Sequence, residues 1–226
     1  MLLGIWLMLS QGMLAAPTTT IPNSWQELVN KGAMLAVVDK EPSLSMMASV
    51  GNGYAAFVVD GSEIYVGGIY NGPAGVLNPS HRAAIVNYQG VKVSGQFLYG
   101  GLNMEEATYK RVYQLNPSCY VTQTFYAHQV YRHLLVQSIE IDNRLGSADC
   151  SVTLSSVNQT TITNDFQLLK STLHPTGLYA VREFQILTSE APNGVKPRVA
   201  VATTYFGGSS NGVSRGKLNT VSRGGV

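Results

Sequence analysis

Apolar and polar residues alternate with a period of two along much of this chain. Over residues 108–115, Tyr109, Arg111, Tyr113 and Leu115 share one face. Over residues 151–157, Val152, Leu154 and Ser156 alternate with polar neighbours. A period of two puts successive side chains on opposite faces of a pleated strand. Residues 120–128 (YVTQTFYAH) are rich in β-branched and aromatic side chains, which strands favour. Further strands are predicted at 54–60, 63–69, 86–93, 95–102, 134–141, 177–186 and 198–204.

Turn chemistry divides these strands. Gly61-Ser62 joins 54–60 to 63–69 as a hairpin, and Asn52-Gly53 and Asn71-Gly72 punctuate its ends. Residues 73–82 (PAGVLNPSHR) contain two prolines and no periodicity, and read as a loop carrying His81 and Arg82. A short helix is expected after the linker at 17–24. Ser24 is its candidate cap, with Glu27 three residues on and Trp25, Leu28 and Val29 on the apolar side. Many short strands with turns between them predict an all-β chain, a large antiparallel β-sandwich (super-sandwich) with one short N-terminal helix. The sandwich is expected over 25–205. The Gly/Ser/Asn-rich stretch 206–226 reads as a flexible or truncated tail.

The first 16 residues, MLLGIWLMLSQGMLAA, carry no charge and are too short for a comfortable membrane span of about 20 residues. They read as a signal peptide, with a buried N-terminal helix as the alternative, and point to a secreted or lysosomal protein without a stable membrane span. Charged residues make up only 12% of the 226, which suits an extracellular β protein. The net charge of +2, with Lys and Arg scattered, argues against nucleic acid as a partner. Cys119 and Cys150 are a candidate disulfide if the chain is secreted, or else two separate buried thiols. Asn158-Gln159-Thr160 is a candidate glycosylation site.

Catalytic signatures are sparse. No Gly-x-Ser-x-Gly elbow is present. His128 and His133 are five apart, which does not match the helical spacing of a zinc pair, and backbone hydrogen bonding near a strand end is the favoured role. Neither a metal nor a cofactor is expected. Glycoside cleavage needs two carboxylates flanking one bond. Glu105 and Glu106, and Asp39 and Glu41, read instead as solvated surface charges. More informative are Asn52, Tyr70, Asn71, His81 and Arg82, which the hairpin would bring toward one end. Amides, guanidinium and aromatic rings of this kind grip and stack on sugars, although Asn and Gly also simply make turns.

At these residues the sequence resembles the N-terminal domain of glycoside hydrolase family 65, in the acid trehalase-like, protein-glucosylgalactosylhydroxylysine glucosidase branch. The similar stretches are VGNGYAAF at 50–57, VGGIYNG at 66–72, SHRA at 80–83 and FYAHQVYRHLLVQSIE at 125–140, in that order. The resemblance implies a β-sandwich that precedes a helical linker and an (α/α)6 barrel. That barrel would hold the glutamate acid and, in hydrolases, the carboxylate base of an inverting mechanism. No catalytic residue therefore carries over to this chain. The resemblance implies an inactive fragment of an α-glucosidase acting on trehalose or glucosyl-galactosyl-hydroxylysine type substrates. Asn52, Tyr70, Asn71, His81 and Arg82 would then face the missing barrel or border its sugar. Two other functions stay open: a stand-alone carbohydrate-binding module, and a structural sandwich without ligand.

Overall fold

The computed structural model describes residues 20–72, 80–86, 91–143, 150, 152, 154–156, 164–175, 179–190, 194–204 and 218–225. Helix α1 (Asn23–Asn30) leads into β1 (Met34–Val38). Next come β2 (Ser49–Gly51), β3 (Ala55–Val58), β4 (Glu63–Asn71) and β5 (His81–Val86). The central run is β6 (Val91–Val93), β7 (Gln96–Asn103), β8 (Thr108–Asn116), β9 (Cys119–Ala127) and β10 (Leu134–Asp142). The last strands are β11 (Leu154–Ser156), β12 (Phe166–Leu173), β13 (Tyr179–Ile186), β14 (Arg198–Thr204) and β15 (Leu218–Gly225).

A nine-stranded sheet runs in the order β1-β7-β8-β9-β10-β15-β14-β13-β12. A four-stranded sheet, β2-β3-β4-β5, and the pair β11-β6 complete the architecture. Every neighbouring pair is antiparallel; short connections impose this from β7 to β10, while β1–β7, β10–β15 and β11–β6 join strands distant in sequence. The expected all-β sandwich is the observed fold.

The core lies between the layers. Val50, Phe57, Ile64, Val66, Ile69 and Ile85 of the smaller sheet meet Tyr109, Phe125, Phe166, Phe184, Ile186 and Val201 of the larger one. In β9, Cys119, Val121, Gln123, Phe125 and Ala127 are buried while the residues between them are half exposed. In β8, Tyr109, Arg111 and Tyr113, which the sequence puts on one face, are likewise buried. Each fully buried apolar side chain contributes about 1.5–3 kcal/mol. A second cluster, Val93, Phe97, Tyr113, Val121 and Ile139, fills the end covered by β6.

Several sequence expectations need correction. His81 and Arg82 begin strand β5 rather than ending a loop. Pairing of Asn71 with His81 and of Tyr70 with Arg82 extends the sheet past the proline-containing segment. Ser24 lies inside α1, where Pro22 is the cap and no side chain caps the helix. Proline suits that boundary because it has no N–H to leave unpaired. Residues 218–225 form β15 between β10 and β14, where a tail was expected. Those two strands otherwise each present an unpaired edge, and backbone pairing outweighs the glycine-rich composition there. The signal-like segment 1–16 and Asn158 lie outside the described residues.

Candidate functional site

The turn after β2 is built by one amide. Asn52 Oδ1 accepts hydrogen bonds from Tyr54 N and Ala55 N, both at 2.9 Å. Its Nδ2 donates to His128 O at 2.7 Å and to Arg132 O at 2.9 Å. Both donors and both acceptor positions of the amide are thereby used. Asn52 fastens the end of the β9–β10 hairpin to the smaller sheet and has no capacity left for a sugar hydroxyl. Gly67 passes so close to this turn that a Cβ there would lie 3.0 Å from Gly53 O.

Beyond Gly67, β4 bulges. Gly68 takes φ +81°, and the β4–β5 register shifts between Tyr65 and Tyr70. The strand then delivers Tyr70 and Asn71 beside Arg82 and His81. At the rise of about 3.3 Å per strand residue, Asn71 lies on the order of 13 Å along β4 from Gly67.

A buried carboxylate organises this corner. Asp165 is 8% exposed and precedes β12. Its Oδ1 accepts from Asn71 Nδ2 at 3.0 Å and from His81 Nε2 at 2.7 Å, and its Oδ2 accepts from Ala84 N at 2.8 Å. Asn71 Oδ1 also accepts from Thr188 N at 3.0 Å, and Gly72 N donates to Thr188 O at 3.0 Å. Strands β4 and β5 of one sheet are thus stitched to the segments flanking β12 and β13 of the other. Three donors on one carboxylate offset the cost of burying its charge.

Of the five expected residues, Tyr70 and Arg82 present a joint exposed surface. Tyr70 is 37% exposed, and the Arg82 guanidinium stands 6.0 Å from its ring centroid. The structure brings Tyr70, Asn71, His81 and Arg82 together where β4 pairs with β5, while Asn52 stands in the turn beside Gly67. There are thus two anchorages, because Asn52 reaches the β9–β10 connection while Asn71 and His81 reach Asp165. Asn52 and Asn71 hold the structure together rather than opening onto a ligand.

Sequence reasoning missed the strongest electrostatic cluster. Arg111 is fully buried, and its guanidinium bonds Asp60 at 2.5 and 2.9 Å, Glu41 at 2.7 Å and Gln123 at 2.8 Å. The Tyr113 hydroxyl donates to Glu41 at 2.6 Å. The Phe125 ring lies 5.0 Å from the guanidinium carbon. Glu41 is therefore an ion-pair partner of the core and not the solvated charge expected from its turn. Burial works to lower the Arg111 pKa, but the hydrogen bond and charge of Asp60 prevail and hold it above its ordinary value. Burial likewise pushes the Tyr113 hydroxyl well above the ordinary range. The signal was present in the pattern: Arg111 falls in phase with Tyr109 and Tyr113 on the inward face, which requires a buried partner.

The other histidines serve the fold. His128 Nδ1 accepts from Val130 N and Tyr131 N, at 3.2 and 3.1 Å. His133 meets the Tyr54 ring edge-on at 4.4 Å, and His174 stacks on Tyr179 at 4.3 Å. Glu106 pairs with Lys110 at 3.3 Å on the surface. Cys119, the first residue of β9, is disulfide-bonded to Cys150, with Cα atoms 6.2 Å apart. Among the described residues, no group of three His, Cys, Asp or Glu side chains is arranged to hold a metal ion. Among the same residues, no helix is long and apolar enough to cross a membrane.

No protein-family profile matches the chain. It is 43% identical over 197 residues to the protein-glucosylgalactosylhydroxylysine glucosidase of Dictyostelium discoideum. That match covers 81% of this chain and 27% of the relative, so the chain spans about a quarter of the relative's length. Among solved structures it resembles a putative kojibiose phosphorylase from the human microbiome, with a TM-score of 0.51 at 12% identity. That likeness covers 85% of this chain and 29% of the other, and concerns the fold. The family resemblance read from the motifs agrees with both comparisons. The chain is a relative of part of a glycoside hydrolase.

Proposed function

We propose that this chain, as a relative of part of a glycoside hydrolase, is the N-terminal, non-catalytic sandwich of an enzyme that cleaves α-glucosides. The substrate would be of the trehalose or glucosyl-galactosyl-hydroxylysine type. The observation that carries the reading is the 43% identity over 197 residues. The bonding of three carboxylates supports a non-catalytic role. Asp60 and Glu41 are committed to Arg111, and Asp165 to His81, Asn71 and Ala84 N. An acid and base pair acting on a glycosidic bond must instead flank an open site. The enzyme would be secreted or lysosomal. The Cys119–Cys150 bond is the kind that persists in oxidising compartments and supports that placement.

The purified 226-residue chain is expected to release no glucose from trehalose or from glucosyl-galactosyl-hydroxylysine. Robust, inhibitor-sensitive release would refute the non-catalytic role. Reading the coding sequence downstream of Val226 tests the domain assignment: an open frame for a helical, Trp- and Glu-rich barrel supports it, and a stop codon in every transcript argues against it.

A second reading, a carbohydrate-binding module acting alone, draws on the exposed Tyr70 ring with Arg82 beside it. Calorimetric titration with glucose disaccharides separates the two, since absence of heat at millimolar ligand removes the binding module.

A further inference from the structure

The connection between β9 and β10 is rigid at its neck and apolar at its tip. His128 N donates to Leu134 O at 2.8 Å, and Leu134 N donates to Tyr131 O at 2.9 Å. The His128 ring accepts two backbone N–H groups inside the loop, and Asn52 holds the carbonyls of His128 and Arg132. His133 rests against Tyr54. On this frame Val130 is 78% exposed and Tyr131 is 68% exposed. Ordering a loop with no partner gains nothing from the two apolar side chains it displays. The same ordering lowers the entropic cost of docking on a second surface.

Arg132 gives the tip a positive charge, and no Asp or Glu occurs from Ala127 to Ile139. Residues 129–133 are all exposed, whereas a sugar site is concave, and Val130 has nothing to offer a hydroxyl. The chain also matches about a quarter of its relative's length, so such a protein has ample further surface.

From these features we infer that the tip at 128–133 is a docking knob, resting on the domain assignment proposed above. Its partner is the portion of the longer glycosidase outside this chain. Tyr131 and Val130 enter an apolar recess, and carboxylates at its edge face Arg132. Tyrosine and arginine are the residues that carry most of the energy at such contacts. Asn52 is a positioning residue for this knob.

Hydroxyl-radical footprinting reads Tyr131 directly, with rates normalised to an added peptide standard. Tyr131 should oxidise about tenfold more slowly in the longest natural form of the protein than in the 226-residue chain, as expected for a desolvated anchor. Equal rates in the two forms overturn the knob and leave the domain assignment standing. Failure to find any longer product overturns the domain assignment and the knob with it. A second measurement guards against a purely internal role. V130S/Y131S in the 226-residue chain should leave Tm unchanged, and a fall of several degrees would mean that the tip packs within this domain and docks on nothing.

Discussion

Arg111 and Asp60 form a two-pronged ion pair inside the sandwich, with N–O distances of 2.5 and 2.9 Å and side chains 1% and 7% exposed. They are 51 residues apart in sequence, and the pair fixes the β3–β4 turn against the inner face of β8. Asp60 adopts φ 57°, so the turn itself is in a conformation that most residues avoid.

Removing the carboxylate strands the cation. Asp60→Ala should destabilise the chain by about 3–5 kcal/mol, the cost of leaving a buried charge short of its partner. Urea denaturation followed by circular dichroism measures it. A loss below about 1 kcal/mol, typical of a surface change, would contradict the central role assigned to the pair.

Asn52→Ala removes four hydrogen bonds at once. A stability loss of about 1–3 kcal/mol is expected. More diagnostic is amide exchange at Val130 and Tyr131, which should accelerate far more than exchange in β13. Uniform acceleration across the chain would show that the amide supports the whole fold and not one loop.

The disulfide closes a separation of 31 residues. By loop-closure entropy its loss should cost about 3–4 kcal/mol. Comparing Tm for the native chain and the double variant Cys119→Ser/Cys150→Ser tests this. Equal melting would show that the bond adds nothing to stability.

Alkaline pH should weaken the fold. Burial raises the Tyr109 hydroxyl from its ordinary 10.0 to about 12. Its oxygen is buried with no hydrogen-bond partner in the structure. The folded state therefore favours the protonated phenol. That contribution is complete below pH 10 and is lost as the pH rises through 10 toward 12, because only the unfolded chain ionises there. Tyrosinate absorbance and circular dichroism recorded together should show Tyr109→Phe losing less stability over this range than the native chain. Identical pH profiles would exclude Tyr109 as a source.

Much of the architecture was legible because it is local. The alternation in β8 and the β-branched and aromatic composition of β9 are properties of consecutive residues, and the strands followed from them. Strand β12 is different: beyond Phe166 most of its residues are exposed, so its sequence carries little periodic signal. Strand β5 was obscured by the proline-containing segment before it. The candidate site was legible as a set of residue types, but not as roles. Asn52 in an Asn-Gly turn announces a turn, and nothing nearby announces carbonyls 76 and 80 residues away. Arg111 stood visibly on a core face, yet Asp60 and Glu41 were hidden among ordinary turn residues. Long-range polar pairing leaves no periodic trace.

The Asp165 joint also constrains the order of assembly. Asn71 is 94 residues from Asp165 and 117 from Thr188. Closing such loops costs entropy that local hairpins do not incur, so the hairpins of each sheet are expected to form first and the joint last. Asp165→Asn should then leave the refolding rate nearly untouched and hasten unfolding. The lifetime of the native state, rather than the speed of reaching it, depends on one aspartate.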